Sequence, residues 1–217
     1  MRKTLAFYTA ILMLFGCMNA MAEDQPTIVA TTYPLYDMAR SICGDLALVQ
    51  YAPDGAEDIA SDADVLLCVG GENDAWADAL DKVVVVKAIN GIDLIGSDTD
   101  VLTIPVNCMI CASYFADAIS ALDAANLQSY QTNVSAYIER MSALDIHIRD
   151  AVSEGMKVSC SDGSMAYFAR EYGLENAQGD ASAAVLSTYN APAEENLDTS
   201  YIDLLHENLH ALVGSGE

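Results

Sequence analysis

Short apolar runs separated by polar or helix-periodic stretches set the rhythm of this chain. Ile28 to Thr32, Ala47 to Tyr51, Val65 to Val69, Val83 to Val86 and Lys157 to Cys160 have the length and β-branched or apolar content of buried strands. Pro34 ends the first, because proline cannot donate to a ladder. Asp37, Met38, Ser41 and Ile42 then recur at helical spacing up to a stop at Gly44. Such alternation predicts a small parallel sheet in an α/β fold, with ligands gathering at the carboxyl ends of the strands. Tyr33, Asp54 and the stretch from Glu72 to Trp76 fall at those ends.

A longer period dominates the middle of the chain. Leu127, Tyr130, Val134, Tyr137, Met141, Leu144 and Ile148 recur in steps of three and four. They predict one helix from Asp123, its N-cap, to Glu154, stopped by Gly155. About 30 residues of helix span about 45 Å, enough to act as a spine joining two lobes. Further helices are expected at Ala112 to Leu122, Met165 to Tyr172 and Ser200 to Val213. The polar stretch from Glu175 to Asp198 shows no strand pattern. The expected organisation is a leader at 1–22, an N-terminal α/β lobe at 27–122, a connecting helix at 123–155 and a reduced C-terminal lobe at 156–217. At roughly 60 residues that second lobe is near the minimum that folds unaided, so it must lean on the spine.

Charge and cysteines narrow the classes of function. Of 217 residues, 32 are acidic and nine are Lys or Arg, for a formal net charge of −23. Nucleic acid and anionic lipid are therefore disfavoured as partners, and the negative field either attracts cations or simply keeps an exported protein soluble. With 53% hydrophobic residues the chain is no disordered acidic tail. Arg2 and Lys3 precede an apolar run from Leu5 to Gly16, too short to span a bilayer, which reads as an export signal. Leu14, Phe15, Gly16 and Cys17 fit a lipobox that would make Cys17 a lipid attachment site. Ala20, Met21 and Ala22 offer an alternative cleavage site that would release a soluble product. Both routes place the protein outside the cytoplasm, in the periplasm or at the cell surface. Cys43, Cys68, Cys108, Cys111 and Cys160 remain, an odd number, and imply no disulfide framework.

Five segments carry a family resemblance. TIVATTYPLYDMARSICGD resembles the opening strand and helix of the metal-binding solute-binding proteins of ABC transporters, the zinc and manganese carriers. DADVLLCVGGENDAWADAL is similar to their acidic segment, with Asp74 and Trp76 in register. Ala116 to Ala151 resembles their long connecting helix, and AYFAREYGL and SYIDLLHENLHALV resemble their closing segments. The resemblance implies two lobes with small parallel sheets on a spine helix, a divalent metal ion (Mn or Zn) as transported ligand, and an ABC permease as partner. Membrane contact would be through the lipid anchor only, and no catalysis is implied.

The family's histidine ligands have no counterparts here. Laid on its motifs, the ligand positions fall on Asp58 (beside Glu57), Asp100 and Asp162. Oxygen ligands suit hard cations such as Mn²⁺, whereas zinc prefers nitrogen and sulfur. Two readings follow: a remodelled cation site at Asp58, Asp100 and Asp162, or a surface or interaction protein that kept the scaffold and lost the ion.

Two other motifs compete. His206, Glu207 and His210 spell HExxH, the zinc peptidase signature, but no downstream third ligand follows. An amphipathic helix packing Ile202, Leu205, Leu209 and Leu212 accounts for the same stretch. Cys108 and Cys111 form a lone CxxC, read either as a redox or zinc half-site or as a local disulfide or two buried thiols. No nucleophile elbow, phosphate loop or dinucleotide fingerprint is present.

Overall fold

The computed structural model describes residues 25–214. The leader at 1–22 and Cys17 lie outside the described residues. The first lobe is a four-stranded, all-parallel sheet in the order β2-β1-β3-β4, from β1 (Thr27–Ala30), β2 (Leu48–Tyr51), β3 (Val65–Cys68) and β4 (Val84–Lys87). Ile28 lies opposite both Val49 and Val65, which fixes the register. Helix α1 (Tyr33–Cys43) follows β1 directly. Pro34 occupies its first turn, where the missing N–H costs nothing, and Gly44 closes it at φ +54°. Helix α2 (Ala56–Ala60) is a single short turn.

Both faces of this sheet are covered, as an all-parallel sheet requires. Ile28, Ala30, Val65 and Leu67 point into the main core. Val29, Leu66 and Cys68 point the other way, under a thin layer of Ala52, Ala56, Ala60, Ala63 and Ala77.

Helix α3 runs from Pro105 to Leu122, seven residues longer at its start than the pattern predicts. Ile104 is extended ahead of Pro105, and proline suits a first helical position. Cys108 and Cys111 are therefore inside the helix, not before it. The spine helix, α4, covers Leu127–Ala151 and is shorter than expected. Asp123 does not cap it. Its carboxylate accepts hydrogen bonds from Asn126 Nδ2 and the Tyr130 hydroxyl, both at 2.7 Å, and so clamps the turn between α3 and α4. At 25 residues α4 is about 37 Å long. It packs along α3 as a helical hairpin and also against α1. Five of the seven stripe residues, Tyr130, Tyr137, Met141, Leu144 and Ile148, are in the core, whereas Val134 is half-buried and Leu127, at the helix start, is exposed.

The second lobe is a three-stranded parallel sheet, β6-β5-β7, from β5 (Lys157–Cys160), β6 (Glu175–Asn176) and β7 (Ala184–Leu186). The stretch from Glu175 to Asp198 thus does hold strands, contrary to the sequence pattern, because two- and three-residue strands are too short to show alternation. Helix α5 (Ala166–Tyr172) and the closing α6 (Tyr201–Gly214) complete it. One core cluster takes in buried side chains from both sheets and from α1, α3, α4 and α6. Each sheet adds strands in opposite directions from its middle strand, β1 or β5, so each has a switch point at that strand's carboxyl end.

Candidate metal centre

Asp100 lies in the segment linking β4 to α3, at the entry to a turn of 3₁₀ helix (Val101–Thr103). Buried Val101 and Leu102 anchor it, and its backbone N–H donates to Asp98 Oδ1 at 2.9 Å. From there its carboxylate reaches the second lobe. Oδ2 accepts the Ser164 N–H at 2.7 Å, and Oδ1 accepts Asn190 Nδ2 at 2.8 Å. Burial pushes its pKa above the ordinary carboxylate value, against the bonds from Ser164 and Asn190, and the charges of Asp98 and Asp162 add to the rise.

Asp162 sits at the switch point of the second sheet, just past β5. Its Oδ1 accepts the Thr188 N–H at 2.8 Å, and its Oδ2 accepts the hydroxyls of Ser187 at 2.7 Å and Thr188 at 3.1 Å. The Cys160 thiol donates to it at 3.3 Å. Burial raises its pKa, but these hydrogen bonds outweigh burial and the net shift is downward. Gly163 separates Asp162 from Ser164 with no room to spare. A Cβ there would stand 2.6 Å from Asp100 Oδ2 and 2.7 Å from the Thr188 methyl.

Asp100 and Asp162 are thus brought to the same place, and Asp58 is not. Asp58 is exposed on α2 and lines a separate hollow of about 360 Å³ with Asp54, Asp74, Trp76 and Thr31. Among the described residues no three His, Cys, Asp or Glu side chains converge in an arrangement able to hold a metal ion. The polar partners that complete the site, Ser187, Thr188 and Asn190, follow β7 and were missed in the sequence. The run AAVL at 183–186 was the available signal. Tyr201, fully buried at the start of α6, fixes both segments: its hydroxyl donates to Leu102 O at 2.9 Å, with Thr188 O at 3.3 Å.

The competing motifs resolve differently. His206, Glu207 and His210 are on α6, whose Ile202, Leu204, Leu205 and Leu212 are buried. Glu207 accepts the Tyr189 hydroxyl at 3.2 Å, and His206 faces His147 of α4 with ring centroids 6.2 Å apart. Cys108 and Cys111 are buried free thiols, as are Cys43, Cys68 and Cys160. The Cys108 thiol donates to Leu102 O at 3.1 Å, an ordinary core role.

The model of the ZnuA family, the periplasmic component A of the zinc-uptake complex, matches residues 28–184, well over half the chain. The chain belongs to the ZnuA family. This is a family of substrate-binding proteins, not of enzymes. Zinc-binding lipoprotein AdcA of Streptococcus pneumoniae is 26% identical over 205 residues, covering 76% of this chain and 41% of AdcA. The iron ABC transporter substrate-binding lipoprotein MtsA of Streptococcus pyogenes is 26% identical over 217 residues, covering 82% of this chain and 70% of MtsA. This ZnuA-family chain therefore spans less than half the length of AdcA. Its MtsA alignment runs over more positions than the residues it contributes, so MtsA carries residues there that this chain lacks. The structure of the Zn(II)-bound ZnuA-like domain of AdcA shares the fold, with a TM-score of 0.76 at 21% identity over 88% of this chain and 98% of that one.

Proposed function

We propose that the chain is the extracytoplasmic substrate-binding component of a metal ion ABC transporter, capturing a divalent cation between its two lobes and delivering it to a membrane permease. The observation that carries this reading is the Asp100 to Ser164 bond. It draws a first-lobe carboxylate to within two residues of Asp162, at the switch point of the second sheet. Membership of the ZnuA family supports it, and so does the charge of −23, which enriches cations at the surface.

In this reading Asp100 and Asp162 are the anionic walls of the site, and the hydroxyls of Ser187 and Thr188 are neutral oxygens beside them. A site of oxygen atoms favours Mn²⁺ over Zn²⁺. Asp58, in its own acidic hollow with Asp54 and Asp74, adds to the field at the rim of the first lobe and stands apart from the ion. Cys17 supplies the lipid anchor.

A second reading has a specific observation in its favour. Both carboxylates are already hydrogen-bonded by the chain itself, as expected of a scaffold that holds its lobes together without an ion. Thermal denaturation with single ions separates the two. An ion at about 100 times its Kd adds about 2.7 kcal/mol and raises melting by roughly 5–10 °C. The carrier reading expects that rise with Mn²⁺ and its loss in Asp100→Asn and Asp162→Asn. If Mn²⁺, Zn²⁺, Fe²⁺ and Ca²⁺ all leave melting unchanged, the scaffold reading stands instead.

A further inference from the structure

Asn190 links the two lobes through its backbone and its side chain. Its backbone carbonyl accepts the Tyr33 N–H at 2.9 Å and the Tyr51 hydroxyl at 3.2 Å, both from the first lobe at the carboxyl ends of β1 and β2. Its side chain donates to Asp100 Oδ1 at 2.8 Å, and its own N–H donates to Thr188 Oγ1 at 3.3 Å. The seat is rigid. Tyr51 packs edge-on to Tyr33 and against Tyr36, with ring centroids 5.9 and 5.4 Å apart. Tyr189, immediately before Asn190, is held at φ +53°, a backbone conformation that side chains other than glycine rarely adopt. Strain of that kind persists only where surrounding contacts determine it, and here they position Asn190.

The chemistry at Asp100 gives this contact a consequence. A carboxylate only accepts, so the Asn190 nitrogen, not its oxygen, must face Asp100, and the bond is charge-assisted. The amide N–H takes one of the two lone pairs of Oδ1, and a cation brought to that same side of the oxygen meets the partial positive charge of the amide hydrogens, so the two compete there. We propose that Asn190 is a built-in occupant of the cleft: it bolts the lobes together while no cargo is bound, and a cation gains Asp100 Oδ1 only when the Asn190 amide lets go. The second half of this inference rests on the cation reading given above. The first half does not.

The test uses the full chain with Asn190→Ala and the near-isosteric Asn190→Asp, which sets two carboxylates against each other. Two quantities are read: hydrogen exchange at the Tyr33 amide, which donates to Asn190, and the Kd for Mn²⁺ by calorimetry. Both variants should speed exchange at Tyr33. Asn190→Ala should also bind Mn²⁺ about tenfold to a hundredfold more tightly than wild type, the equivalent of one hydrogen bond to a charged group. Unchanged exchange in both variants overturns the bolt. Weaker Mn²⁺ binding by Asn190→Ala overturns the competition, because it would make the amide a ligand. Faster exchange with no Mn²⁺ bound by any of the three proteins upholds the bolt and defeats the cation reading instead.

Discussion

Asp37 and Tyr201, 164 positions apart in the chain, meet in the core, where Asp37 Oδ2 accepts the backbone N–H of Tyr201 at 2.9 Å. A carboxylate of α1 thereby satisfies one of the open donors at the start of α6 and fixes the closing helix against the first lobe. Burial raises the Asp37 pKa, and the Tyr201 bond and the charges of Arg40 and Arg140 only partly offset this. Asp37→Ala leaves the Tyr201 N–H without its acceptor and should cost about 1–3 kcal/mol in urea unfolding at neutral pH. Asp37→Asn keeps an acceptor and sheds the buried charge, so its urea midpoint should lie clearly above that of Asp37→Ala. Equal midpoints would show that the contact does not hold α6.

Gly163 is needed for space, not for its backbone angle. Gly163→Ala would drive a methyl into Asp100 Oδ2 and Thr188, each under 3 Å away. The expected loss is about 1–3 kcal/mol, as in other overpacked sites, with the Ser164 to Asp100 bond broken. A thermal melt within one degree or so of wild type would mean the turn shifts freely and the site is looser than described.

Asp100 and Asp162 should respond to acid in opposite senses. The raised pKa of Asp100 means that its contribution to stability is fully present below the ordinary carboxylate value of 3.8 and is lost as pH rises through its folded pKa. The lowered pKa of Asp162 means that its contribution is present above 3.8 and is lost as pH falls through its folded pKa. Melting temperatures of wild type and Asp162→Asn should therefore converge as pH drops below 3.8, whereas the difference between wild type and Asp100→Asn should move in wild type's favour as pH falls through the raised pKa of Asp100 to 3.8 and stay constant below it. Parallel curves for either pair contradict the assignment.

The thiols should be silent in the native protein. Cys43, Cys68 and Cys111 are buried, and burial pushes their pKa values up to about 12. A disulfide reagent at about pH 8 should label none of them until denaturant is added, because the thiolate is the reactive form. Fast native labelling at Cys111 would restore a redox role for the CxxC pair.

The sequence pattern was legible where a period survives. Strands β1 to β5 and the buried stripe of α4 were read almost to the residue, because each strand keeps an apolar run of strand length, fully buried in β3 and only partly in β2 and β4, and the stripe of α4 faces the core. The start of α3 was not, since Cys108, Ile110, Cys111 and Ala112 are apolar on several sides and leave no 3.6-residue signal. Asp100 and Asp162 were singled out through family resemblance alone. Their convergence through Ser164, and the arrival of Thr188 and Asn190, depend on contacts across 26 to 90 positions that no local pattern records. Asp58 marks the limit of that approach, because a motif can supply the residue type without the place: it is exposed on α2 beside a separate hollow.

A seam is what lets two halves of a binding protein swing apart, and here the apolar interior runs unbroken from the first sheet through α3, α4 and α6 to the second. Heating should produce one cooperative transition in place of two. Whatever enters or leaves between the halves must do so through a slight tilt and the release of a few polar ties. The two sheets are therefore joined like the halves of a stiff clasp.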